Sequence, residues 1–181
     1  GFHVRRRRCI EGEQMRNKLF LDMPAFDDEA GPRAELTAPA ATVAFMLAGN
    51  AHVTFQSRRT GTRFTYRVRT AKPREGALRT ETARGPSHFV AVLTGADNEH
   101  GYEYLGCVYQ RSAYAHGRNS RIAKSAPSAI AFAWVWSKLT GGEMHPELAV
   151  YHEGRCGRCG RRLTDPLSIS SGLGPKCRGE Q

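Results

Sequence analysis

Cys156 and Cys159 stand two residues apart in the run Gly154-Arg155-Cys156-Gly157-Arg158-Cys159-Gly160, and Cys177 returns within Gly174-Pro175-Lys176-Cys177. Two thiolates at that spacing can grip one ion from a tight turn while Gly157 and Gly160 leave the backbone free to aim amides at the sulfurs. So few large apolar residues surround them that the segment cannot build a core alone, which makes metal ligation the force that folds it. The pattern predicts a structural Zn2+ on Cys156, Cys159 and Cys177. His152 is the first choice for the fourth ligand, because a neutral imidazole suits zinc and it lies just before the pair, with Cys107 and Cys9 as alternatives. Arg155, Arg158, Arg161, Arg162 and Lys176 would offset the negative charge of three thiolates. A metal-free pair or a redox dithiol is the competing reading, but a redox pair expects a thioredoxin-like strand and helix that the sequence lacks. Glu153 is the only neighbour able to act as a base beside an open catalytic ion, so a structural ion is the better fit.

The run from Cys156 to Pro166 (CGRCGRRLTDP), with Ser168 and the stretch from Ser171 to Cys177 (SGLGPKC), resembles a small zinc-binding domain of unknown function found in many phage and bacterial proteins. The stretches Phe45–Phe55 (FMLAGNAHVTF) and Thr60–Arg69 (TGTRFTYRVR) are similar to the amino-terminal half of a subset of those phage proteins. The resemblance spans roughly residues 37 to 178. It implies a phage or prophage origin and a bound zinc, and it carries no established activity.

At 181 residues and 40% hydrophobic, the chain can bury one modest core. Five cysteines, an odd number, argue against a complete disulfide framework. No apolar run is long enough for a membrane span or a signal core, so a cytoplasmic location in a bacterial host is expected, with no membrane partner. Residues 1–36 carry their charges in blocks, with Arg5 to Arg8 first and Asp22, Asp27, Asp28, Glu29 and Glu35 later, and read as a flexible charged arm.

Thr37 before Ala38-Pro39 predicts a capped helix through Leu47, ended by Gly49-Asn50. The period then changes to two. Val53, Phe55 and Ser57, then Phe64, Tyr66 and Val68 across a turn at Gly61, form the clearest hairpin. Residues 73–87 read as a long exposed loop. Strands over His88–Thr94 and Tyr102–Tyr109 follow, the first apolar on both faces and so expected to be covered on both. Pro127 opens a helix that ends at Gly141-Gly142, with Trp134 and Trp136 on different sides. The expected fold is α+β: about four antiparallel strands packed by two helices over residues 37–148, followed by a zinc-knuckle module over residues 149–181.

The net charge of +10 concentrates in the middle of the chain, and no acidic residue occurs between Asn50 and Lys72. With Phe64, Tyr66 and Val68 in the core, Arg63, Arg67 and Arg69 share the other face, with Arg58, Arg59, Lys72 and Arg74 at its ends. Such a face tracks phosphates, and the knuckle arginines would extend it. An arginine-rich hairpin that merely resists aggregation is the alternative. No phosphate loop, serine elbow or HExxH pattern occurs, and Asp97, Glu99, His100 and Glu103 read as solvated turn residues rather than a magnesium site. The sequence therefore points to a non-enzymatic, zinc-stabilised nucleic-acid-binding protein, for DNA or RNA. The alternative is a phage effector whose basic face occupies an acidic or nucleic-acid-binding surface on a host protein.

Overall fold

The computed structural model describes residues 34–72 and 86–179. The proposed arm lies outside them apart from its last three residues, and so does most of the loop at 73–87.

The elements in chain order are β1 (Ala34–Glu35), α1 (Pro39–Met46), β2 (Asn50–Ser57), β3 (Arg63–Thr70), β4 (Pro86–Leu93), β5 (Tyr102–Tyr109), β6 (Ala113–His116), α2 (Pro127–Thr140), β7 (Leu148–His152), α3 (Pro166–Ser171) and α4 (Pro175–Arg178). The strands form one antiparallel sheet of seven in the order β1-β7-β2-β3-β4-β5-β6. The class is α+β as expected, but the expectation of about four strands is corrected to seven. The added strands are the two-residue β1, the four-residue β6 and the five-residue β7.

The hairpin forms where the alternation put it, with Val53 opposite Tyr66 and Phe55 opposite Phe64, and Gly61 turns the chain at φ +74°. Val53, Phe55, Tyr66, Val68, Val90, Val92 and Val150 lie on one face and are buried. Proline at the first turn starts both long helices, which cover this face. Ala38, rather than Thr37, is the N-cap of α1, and its carbonyl accepts the Thr42 hydroxyl at 2.9 Å.

Phe132 of α2 is the hub of this layer. Its ring lies 5.1 Å from Tyr66, 6.0 Å from Phe55, 4.8 Å from Tyr114 and 6.1 Å from Trp136, with which it stacks. Truncating such a ring costs about 3–5 kcal/mol. The Tyr66 hydroxyl donates to the Ser128 carbonyl at 2.7 Å, so its polar tip is satisfied in the core. Both tryptophans are interior: Trp136 donates to the Ser112 carbonyl at 2.7 Å, and Trp134 packs on His145 at 5.4 Å.

Two boundaries change. Glu35 pairs with Tyr151 and Leu36 is buried, its amide bonded to the Val150 carbonyl at 2.8 Å, so the packed domain begins before residue 37. The segment from residue 149 is not a separate module either. β7 is an inner strand between β1 and β2, and Phe45 of α1 packs 5.3 Å from His152 and against Gly172, whose φ of +71° closes α3. The cysteine segment shares the main core because it has too little apolar surface for one of its own.

Candidate metal centre and basic sheet face

The cysteine turn hangs from the end of β7. Arg155 bridges Arg162, the Cys156 amide donates to the Arg161 carbonyl at 2.8 Å, and Gly160 turns the chain at φ +72°. Asn50 at the start of β2 donates its amide to the Gly157 carbonyl at 2.7 Å, which ties the turn to the sheet. Asp165 caps α3 by accepting the Ser168 amide at 2.8 Å, and this helix and α4 bring Cys177 back.

The three sulfurs of Cys156, Cys159 and Cys177 lie within 4.8 Å of one another and could hold a metal ion. Sulfurs bonded tetrahedrally to one zinc stand about 3.8 Å apart, so this donor set suits a thiolate-bound ion with little movement. Burial alone would raise the Cys156 thiol, but the backbone amides of Cys159, Gly174 and Arg158 point at its sulfur and bring it down to about 7. Cys177 is pushed up to about 11 by burial and by its contacts with the other two sulfurs.

His152 does not join them. Its Nδ1 accepts the Gly154 amide at 3.0 Å, which leaves Nε2 as the protonated nitrogen donating to the Ile169 carbonyl at 2.7 Å. Both ring nitrogens serve backbone, and burial pulls the pKa below its ordinary value. The fourth-ligand expectation for His152 is therefore corrected: the ring clamps β7 to α3. Cys107 lies on β5 with its sulfur 3.0 Å from the Tyr104 hydroxyl, away from the trio, and Cys9 is outside the described residues. Among the described residues no other His, Cys, Asp or Glu completes the set.

The expected basic face divides. Arg63, Arg67 and Arg69 alternate with Phe64, Tyr66 and Val68 on β3 and face away from the helices. Arg67 donates to the Glu99 carbonyl at 3.1 Å and lies 4.5 Å over the Tyr102 ring. Burial and the neighbouring Arg69 pull its pKa down, a cost that an arriving anion would relieve. Arg69 and Lys72 are exposed. Arg58 and Arg59 leave the group, since Arg58 pairs with Glu35 and Arg59 with Glu147 at 3.8 Å. Arg74 is outside the described residues.

The track does not run unbroken to the knuckle. A cleft of about 490 Å³ separates the two, lined by Asn50, His52, Glu99, Glu153 and Arg155. Glu153 stands 3.5 Å from His52 and places carboxylate between the arginines of β3 and those of the cysteine turn. Arg155 and Arg158 donate to the carbonyls of Gly160 and Cys177, both at 3.3 Å, and so brace the turn itself. Asp97 accepts the Glu99 amide and contacts His100, each at 2.8 Å, forming an exposed turn whose Glu99 carbonyl also accepts Arg67.

One feature escaped the sequence. β4 was expected to be covered on both faces, yet Phe89 is 44% exposed on the arginine face. Its apolar run concealed the difference, because a run without alternation does not say which face is bare.

Residues 146–180 match a family of unknown function (DUF6011), a span that takes in β7 as well as the three cysteines. No curated protein and no solved structure matches the chain. No described helix is long and apolar enough to cross a membrane.

Proposed function

We propose that this chain is a non-enzymatic, zinc-stabilised nucleic-acid-binding protein of phage or prophage origin, acting in the cytoplasm of a bacterial host. The observation that carries the binding role is the placement of Arg63, Arg67 and Arg69 together on the sheet face turned away from the helices, with no carboxylate on β2 or β3. Arginines on one face of one strand present forked donors along a line, which suits a run of backbone phosphates. Lys72 adds an exposed positive charge two residues beyond the end of β3.

The ion in this reading is Zn2+, held by Cys156, Cys159 and Cys177. Its task is mechanical: it fixes the cysteine turn against β2 and α1, and so fixes one border of the sheet. The phage assignment rests on the resemblance of the cysteine segment and of the hairpin to phage proteins.

Binding to nucleic acid over a salt series tests the proposal. The logarithm of the affinity should fall linearly with the logarithm of salt, with a slope of about one per phosphate neutralised. No association at low salt overturns it and turns attention to a host protein as the target of the same charges.

A further inference from the structure

The arginine face is also aromatic. Across the sheet Arg69 stands beside Phe89, and Phe89 beside Cys107 and then Ala115, while in the parallel row Arg67, Ala91 and Tyr104 follow one another. Phe89 and Tyr104 meet edge to face at 6.3 Å. Tyr102 lies on the same face, opposite Leu93, with Arg67 above its ring and His52 at its edge, 5.5 Å away.

A recess of about 520 Å³ adjoins this group, lined by Tyr104, Cys107, Tyr109, Ala115, Gly117 and Arg118. Gly117 has a specific part in it. The ring of Tyr104 lies where a side chain at Gly117 would stand, so the absence of one lets the ring lie flat along the wall. A large aromatic left bare beside a row of arginines marks a surface that suits a partner both apolar and anionic.

We propose that this face binds single-stranded nucleic acid, with bases stacking on Phe89 and Tyr104 and entering the Tyr104–Tyr109–Arg118 recess while Arg63, Arg67 and Arg69 hold the phosphates. The inference rests on the nucleic-acid reading above and names its substrate class. Bases in a duplex keep their π-faces against each other, whereas a single strand can lay them on protein rings. Charge alone would serve both forms. The combination of an exposed ring one strand away from each of two arginines selects the single strand.

The test is fluorescence anisotropy on the full chain with four probes of equal length, about 20 nucleotides, longer than the ~4–16 that one binding fold covers. These are oligo(dT), oligo(U), a strand of abasic sugars, and a DNA duplex. The two ordinary strands are expected to bind at least ~10-fold tighter than the abasic strand and the duplex, and their ratio reports whether DNA or RNA is favoured. Phe89→Ala should weaken single-strand binding about 5- to 100-fold with the salt slope unchanged, because it removes a stacking surface and no charge. Phe89→Trp should restore it. Equal binding of ordinary and abasic strands, or tighter binding of the duplex, overturns stacking and leaves phosphate contact standing. Absence of binding to all four probes overturns both readings.

Discussion

The ring of Phe45 occupies the space that a side chain at Gly157 would need: a Cβ there would meet Phe45 Cδ2 at 2.7 Å and the Phe45 carbonyl oxygen at 2.9 Å. The second contact is backbone, which cannot swing aside. Gly157→Ala is therefore expected to push the cysteine turn off α1 and destabilise the fold by about 1–3 kcal/mol, measured by urea or thermal melting. An unchanged midpoint would show that the turn and α1 are not packed this closely.

Cys156→Ser, Cys159→Ser and Cys177→Ser should each reduce bound zinc well below the about one ion per chain of the unaltered protein, as measured by mass spectrometry after dialysis. Cys107→Ser should leave the zinc content unchanged, since its sulfur contacts Tyr104 on β5, four strands from β7 in the sheet. Loss of the ion in the Cys107 variant would place that residue in the coordination sphere.

His152→Gln separates packing from ligation. With both ring nitrogens committed to Ile169 and Gly154, its replacement should lower stability by about 1–3 kcal/mol while one zinc remains bound. Full loss of the ion in a variant that still melts cooperatively would return His152 to the ligand set.

Arg69→Glu reverses an exposed charge on the proposed binding row. It should weaken nucleic-acid binding and reduce the salt slope by about one or more, with the melting midpoint nearly unchanged, because exposed charges contribute roughly 0–1 kcal/mol to folding. A large fall in the midpoint would assign Arg69 to structure.

His88 supplies a pH dependence. It is buried at the core face of β4, with Nε2 3.1 Å from the Leu47 carbonyl, and burial pulls its pKa below the usual value, as for His152. The unfolded chain then binds more protons than the native one just below pH ~6.5, so stability is complete above that pH and falls as the solution is acidified. Each histidine adds a slope of at most about 1.4 kcal/mol per pH unit. Melting midpoints between pH 8 and about pH 5 should show the decline, and it should become shallower in His88→Gln. A midpoint independent of pH would mean that both rings titrate alike in the native and the unfolded chain.

Much of this arrangement was legible in the residues. The alternation from Val53 to Val68 gave the hairpin and its two faces, because a period of two forces neighbours to opposite sides. Pro127 and Gly141 bracketed α2 for equally local reasons, and the cysteine spacing identified three sulfurs that do converge. What stayed hidden depends on distant partners. Ala113–His116 lacks the β-branched residues that announce a strand and pairs because β5 offers an edge. His152 looked like a ligand because the sequence shows its nearness to Cys156 but not the carbonyl of Ile169 that claims its proton. Arg58 and Arg59 looked free because Glu35 and Glu147 are remote along the chain.

The position of β7 has a consequence for how the molecule is made. Because this late strand sits between β1 and β2, a ribosome must deliver residue 152 before the flank of β2 finds its neighbour, and only then can β1 dock. Until that moment the nascent hairpin carries an open row of amides and carbonyls, the kind of edge that invites pairing with other chains. β7 thus seals the flank of β2 and seats β1, and a version shortened before Leu148 should accumulate as aggregate rather than as a smaller soluble protein.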